Sequence, residues 1–376
     1  MTDSCNFIIL KPDNATSPEQ LASSLSKKLQ TEKELHKKNN ETLVWARVFF
    51  SDIINQLPAV ENSELKETLD KCAVSYIEQP PVDGSRITIM AQFAKNATVE
   101  SIADNIKRII TPQGIYIYHT VRFKSDEIKN ADGRQQTMQA FERHKALLAQ
   151  YGMTIADNTV RTWLFVRDID RNYSGVVKGR NEFFSQNGLT VDTHFIASTG
   201  ICGYSDCPDA VVAVDFLSKE NIKAGEIKYL HALDHLNPTA EYGVAFERGT
   251  ALNTGINTTS YISGTASIDK HGNCIYLNDP EKQTERLIEN IGALLADANT
   301  RLSDIKAIIA YIRDYSDRHT VERVLKEKLG DVPTVITLAK VCRPQWLVEA
   351  ECIACKDERT IRTCLTSKNK GAALVP

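Results

Sequence analysis

Three stretches of this chain repeat one pattern, and a chain that repeats at this scale folds as stacked or circularly arranged copies of one unit. The stretches are LVWARVFFSDI (43–53), NTVRTWLFVRDI (158–169) and IKAIIAYIRDY (305–315). Each is an apolar strand that runs into an aspartate, at Asp52, Asp168 and Asp314. An amphipathic helix precedes each one: PEQLASSLSKKLQTEKEL, RQQTMQAFERHKALLAQYG and EKQTERLIENIGALLADAN. A glutamine near each helix start, Gln20, Gln136 and Gln283, falls 32, 32 and 31 residues before the aspartate. After the aspartate comes a second, more polar helix and a further strand pair, and the last copy opens with a hairpin. Strands alternating with helices in this way predict an α+β fold, a mixed sheet with helices on one face, made three times. The predicted units span 1–120, 121–235 and 236–358, with a polar, loose tail at 359–376. The strands of the first unit match the others poorly after Asp52.

A chain of 376 residues that is 42% hydrophobic can bury a core in each of three such units. Its formal charge of −3 offers no basic surface for nucleic acid, so small molecules are the expected partners. The opening MTDSCNFIILKPDN lacks the pattern of a secretory leader, and no segment has the length of a membrane span, so a cytoplasmic protein is expected. In that compartment the nine cysteines are reduced thiols. Cys352 and Cys355 stand three apart on a strand and so face opposite sides, and Cys202 and Cys207 lack a second pair. No metal site and no cofactor are expected.

The third unit resembles a known family. SYISGTASID, KQTERLIENIGALLADANTRLSDIKAIIAYIRD and VPTVITLAKVCRPQWLVEAECIA are similar to the YjgF/Rid/UK114 superfamily, with its TSGQ-type strand, Gln-led helix, strand ending in an (K/R)D pair and final VEIEAIA. Those proteins are homotrimers of one unit with ligand clefts between subunits. The resemblance therefore implies an intrachain pseudo-trimer, which favours a monomer, with self-association as the alternative. FERGTAL (246–252), ISGTASI (262–268), THFIASTGI (193–201), KGR (178–180) and CRPQWLVEAE (342–351) bring the chain closer to the chorismatases, the chorismate-hydrolysing branch. The carboxylate-binding arginine of the simple Rid deaminases would fall near Thr334, and their PYxQ tyrosine at Phe246. Both departures speak against imine deamination, which stays open as the alternative beside a non-catalytic ligand-binding role.

The family's cleft glutamate corresponds to Glu349. The two other copies place Ala213 and Ile89 there, so one cleft of three is armed. Glu351, matched by Asp215 in the second copy, is expected to be structural. Cleavage of an enol ether begins with protonation of its methylene carbon, and a carboxyl raised in pKa by an apolar cleft can supply that proton near neutral pH. A dicarboxylate substrate also needs cations, with Arg180, Arg248 and Arg313 as candidates. Ser263, Gly264 and Thr265 are candidates for close backbone approach and hydroxyl contacts. The resemblance gives Cys342 a role in releasing 3-hydroxybenzoate with pyruvate rather than a dihydrodiol. His194 is read as structural.

Overall fold

The computed structural model describes residues 5–13 and 17–358. The tail predicted at 359–376 lies outside the described residues.

The first unit runs β1 (Asn6–Leu10), α1 (Pro18–Lys37), β2 (Glu41–Phe50), α2 (Ile53–Glu61), α3 (Glu64–Leu69), β3 (Ala73–Glu78) and β4 (Ile87–Lys95). The second comprises β5 (Thr98–Ala103), β6 (Ile106–Thr111), β7 (Gly114–Val121), α4 (Gly133–Ala149), the single turn α5 (Ile155–Asn158), β8 (Thr159–Val166), α6 (Ile169–Gln186), β9 (Ala197–Cys202) and β10 (Val212–Lys219). The third comprises β11 (Ile227–Tyr229), β12 (Gly249–Asn253), β13 (Asn257–Ala266), α7 (Pro280–Asp297), β14 (Ile305–Ile312), α8 (Arg318–Leu329), β15 (Thr334–Leu338) and β16 (Val348–Asp357). Each unit builds its own sheet, in the orders β1-β4-β2-β3, β5-β6-β7-β10-β8-β9 and β11-β12-β13-β16-β14-β15. The strand pairs bridged by the polar helix, β2/β3, β8/β9 and β14/β15, are parallel, as a βαβ crossover requires.

Two expectations need correction. The sheets divide at residues 96–97 and 220–226, ahead of the expected boundaries at 120 and 235, because β5, β6 and β7 pair into the second sheet and β11 into the third. A leading hairpin is thus common to the second and third copies, and the first has β1 alone in its place. The three glutamines are also not equivalent. Gln136 and Gln283 are fully buried at the fourth helical position and clamp the backbone before the last strand, receiving the N–H of Val211 and of Leu347. Gln20 is exposed one position earlier and completes a capping box with Ser17. The aspartates are turn residues: Asp52 accepts from the N–H of Asn55, Asp314 from that of Ser316, and Asp168 sits at φ 45°.

The inner faces of the three sheets meet, and backbone bridges join neighbours around the ring: Glu78 with Tyr204, Pro81 with Thr337, and Ile201 with Val341. Helices cover the outside. Leu21, Leu25 and Leu29 of α1, for instance, are buried against the outer face of the first sheet. Where the sheets converge, four charges are buried together. Arg47 lies 3.4 Å from both Asp215 and Glu351, and Arg161 lies 2.7 Å from Glu351. Burial opposes the charge of Arg47, but the nearby Tyr118, Asp215 and Glu351 side chains more than offset it and raise its pKa. Arg47 comes from the first sheet, Arg161 and Asp215 from the second and Glu351 from the third, so the cluster ties the three units together.

Candidate active site

Glu349 is the second residue of β16, opposite Tyr311 on β14 and Ala266 on β13. Between Ile262 and Thr265 the β13/β16 register slips by one residue, a bulge of the kind found beside active sites. Gly264 sits in that bulge. A Cβ there would come within 2.2 Å of Glu349 Oε1, so only a residue without a side chain leaves room for the carboxyl. The Gly264 N–H donates to Thr199 Oγ1 at 2.9 Å, which ties the bulge to β9 of the second unit.

The Glu349 carboxyl is 4% exposed, and among the described residues no hydrogen-bond donor reaches it. Burial lifts its pKa to about 8, with a further push from the Glu351 charge, against the pull of Arg161 and Arg248. It lines a cleft between the second and third units holding about 550 Å³ of open space, mouth included, a size suited to a small molecule. The second unit contributes Tyr173 and Arg180 from α6 and Ser198 and Gly200 from β9. Tyr173 and Arg180 are seven residues apart, two helical turns, and so lie on one face. The third unit contributes Phe246, Arg248, Gly264, Cys342, Arg343 and Trp346. Arg180 and Arg248 are buried and flank the Phe246 ring, their guanidinium carbons 5.8 and 5.4 Å from its centre. Arg248 is aimed by the carbonyl of Asn237, 3.1 Å away. Cys342 is a hydrogen-bond partner of Tyr173, and burial followed by the Glu349 charge pushes its thiol up to about 12. It is a neutral thiol there, a small polarizable wall.

Of the residues expected at the site, Glu349, Cys342, Arg180, Arg248 and Gly264 converge on this cleft. Ser263, Thr265 and Arg313 do not. Ser263 Oγ accepts from the Ser198 N–H and donates to the Glu247 carbonyl, and Thr265 donates to the Ser263 carbonyl, so both hydroxyls shape the bulge. Arg313 pairs with Asp170 and the Val341 carbonyl, fastening the third unit to α6. His194 stacks on Tyr229, outside the cleft. Sequence reasoning missed Tyr173, Arg343 and Trp346. Tyr173 was legible from its two-turn spacing to Arg180, and Arg343 and Trp346 adjoin Cys342.

A larger cavity of about 1000 Å³ lies where the sheets converge, lined by Trp45, Tyr118, Trp163, Ile309 and the buried ion cluster. The carboxylate in its wall, Glu351, is held by Arg47, Arg161 and Trp163, whereas Glu349 accepts from no donor among the described residues. Among the described residues, no cluster of His, Cys, Asp and Glu could hold a metal ion, and no helix is long and apolar enough to cross a membrane.

Comparison with known proteins places these features in a family. The profile of endoribonuclease L-PSP matches residues 243–356, the third unit. A RutC family protein of Pyrococcus abyssi is 31% identical over 99 residues, 26% of this chain and 78% of that protein. A crystal structure of chorismatase is similar across 94% of this chain and 98% of its own, with a TM-score of 0.64 at 17% identity, a likeness of fold that spans all three units. The structure of RidA from an Antarctic Psychrobacter is similar over 34% of this chain and 98% of its own, at 22% identity and a TM-score of 0.28. The matched segment carries the bulge, the glutamate strand and the clamping glutamine: the chain belongs to the RutC family, the YjgF and L-PSP group, with a chorismatase-like three-unit fold.

Proposed function

We propose that this protein is an enzyme that cleaves the enolpyruvyl ether of chorismate, releasing pyruvate and, preferentially, 3-hydroxybenzoate. One observation carries the reading: Glu349 is a carboxyl with a pKa near 8, out of water, unengaged by any donor among the described residues, in a cleft lined by Arg180, Arg248 and Arg343. Three guanidiniums suit a substrate with two carboxylates. An acid that is still protonated at neutral pH suits a reaction begun by protonating carbon.

In this mechanism the arginines hold the carboxylates and set the enol ether against Glu349. The Glu349 proton goes to the terminal methylene, which becomes the methyl of pyruvate, and the ether carbon becomes an oxocarbenium ion. The Glu349 carboxylate left behind offsets that positive charge at short range, where low polarity strengthens the attraction. Water then adds to the oxocarbenium carbon, and collapse of the hemiketal breaks the bond to the ring oxygen, giving pyruvate and the dihydroxycyclohexadienoate; loss of the ring's other hydroxyl as water, with the proton from the neighbouring ring carbon, aromatises that diol to 3-hydroxybenzoate. The pair 3-hydroxybenzoate and pyruvate contains all the atoms of chorismate, while a dihydroxycyclohexadienoate product takes up one water. Cys342, beside Glu349, is the residue that biases between them. Imine deamination fits the site less well. The strand register that places Ser198 in the Glu349 cleft corresponds to that of Thr334 in the third unit, so neither position offers the arginine such an enzyme uses.

The test is to incubate the protein with chorismate, quantify pyruvate, and identify the aromatic product by chromatography, for the wild type and Cys342→Ala. Pyruvate with 3-hydroxybenzoate from the wild type supports the reading. Absence of pyruvate at high enzyme concentration overturns it.

A further inference from the structure

The register of the repeats identifies a second cleft that matches the Glu349 cleft position by position, between the first and third units. Glu349 is opposite Tyr311, three residues before Asp314; Thr88 is opposite Phe49, three residues before Asp52. Thr88, not Ile89, is therefore the counterpart of Glu349. Tyr173 and Arg180 lie five and twelve residues past Asp168; His319 and Lys326 lie five and twelve past Asp314. Gly200 pairs with Leu164 on β8 as Ile336 pairs with Ala310 on β14. Thr88, His319, Lys326, Thr334 and Ile336 all line one cleft with about 1280 Å³ of open space, mouth included. The first unit has no strand equivalent to β12, which is why this cleft is wider than its armed counterpart.

Its chemistry differs in kind. Thr88 lines the cleft at 1% exposure, and its buried hydroxyl has no hydrogen-bond partner among the described residues, an arrangement that costs free energy. Lys11 and Lys326 are neutralised by Asp83 and Asp331. Arg318 is different: its guanidinium sits 4.1 Å from the centre of the Tyr315 ring, and among the described residues no carboxylate lies within ion-pair distance. The mouth also carries the exposed His319 and Glu322, and an apolar stretch of wall comes from Val82, Leu325, Val332, Val335 and Ile336.

We propose that the cleft between the first and third units is a second, non-catalytic ligand site for a small monocarboxylate with an apolar body and a hydroxyl. Arg318 takes the carboxylate, the aliphatic wall takes the body, and the Thr88 hydroxyl exchanges a hydrogen bond with the polar end. Because a hydroxyl stands where the acid should be, the site binds without turning over. This inference rests on the cleft's own residues and not on the reaction proposed for Glu349.

The experiment is a methyl-detected NMR titration of the full chain with 3-hydroxybenzoate. Methyls of Val82, Val335 and Ile336 report on this cleft, and those of Val244 and Ile268 on the Glu349 cleft. Saturable shifts are expected at the first set. In R318Q, a half-buried helix-start change outside the apolar core, the Kd rises about tenfold or more, as loss of a charged hydrogen-bond partner predicts. T88V, nearly the same shape, weakens it less. Val244 and Ile268 keep their wild-type response in both variants. No saturable shift at Val82, Val335 and Ile336, or equal affinity in R318Q, overturns the proposal. If Val244 and Ile268 alone stay silent, the reading of the Glu349 cleft fails and this one stands.

Discussion

Glu349 and Glu351 are two residues apart on one strand, on one face, and both are nearly out of water, yet the protein treats them in opposite ways. Glu351 is saturated. It accepts from Arg161 at 2.7 Å, Trp163 at 2.9 Å, Arg47 at 3.4 Å and Thr199, drawing partners from the first and second units. Glu349 faces a cleft and, among the described residues, accepts from none. A strand that steps past a unit boundary explains the difference, since one side chain meets the convergence of three sheets and the other meets the gap between two. Burial alone does not make a carboxyl an acid; burial without donors does.

The comparison breaks most visibly at Glu349. Glu349→Gln keeps the size and removes the proton. Pyruvate release from chorismate is expected to fall about 10²- to 10⁴-fold, the range for a general acid, with thermal stability equal to or above wild type. A variant with near wild-type turnover would place the acid elsewhere. Glu351→Gln is expected to do the reverse. It leaves Arg47 and Arg161 short of a buried counter-charge and costs about 3–5 kcal/mol in urea unfolding. If it unfolds at the wild-type midpoint, the ion cluster does not register the units.

How much of this was legible in the sequence follows from which interactions are local. The three-fold repeat and the α+β class were readable because periodicity encodes them, while Glu349 was singled out by its resemblance to the family's cleft glutamate and by its absence from the other copies. Arg313 was misplaced because its partner Asp170 is 143 residues away, a pairing that pattern cannot show. Ser263 and Thr265 were misassigned because a bulge turned both hydroxyls onto backbone groups, and bulges leave little trace in a single sequence. The unit boundaries moved because β5 to β7 carry no copy of the repeat's strand-and-aspartate signature.

Gly264→Ala sharpens the comparison from the other side of the cleft. The added methyl must displace the Glu349 carboxyl, whose Oε1 is 2.2 Å from where the Cβ would stand. A displacement on the order of 1 Å costs about 100-fold in turnover while substrate carboxylate binding by the arginines survives. The expected signature is a drop in kcat with KM nearly unchanged, measured by continuous pyruvate detection. Equal loss in both would mean the bulge serves binding.

The smallest effect is in pH dependence, and it tests the Glu349 carboxyl directly. In the proposed reaction Glu349 acts as its protonated form, so kcat should hold below pH 8 and fall as pH rises through about 8. The same shift makes a stability prediction. Between the ordinary 4.5 and about 8 the folded chain retains a proton that the unfolded chain has released, so this group's contribution to stability is complete below 4.5 and declines as pH rises through that window. Glu349→Gln removes the decline, and the urea midpoints of variant and wild type should diverge progressively from pH 5 to pH 8 in the variant's favour. Parallel midpoints across that range would mean that Glu349 ionises at its ordinary pKa, and that burial without donors does not make it an acid.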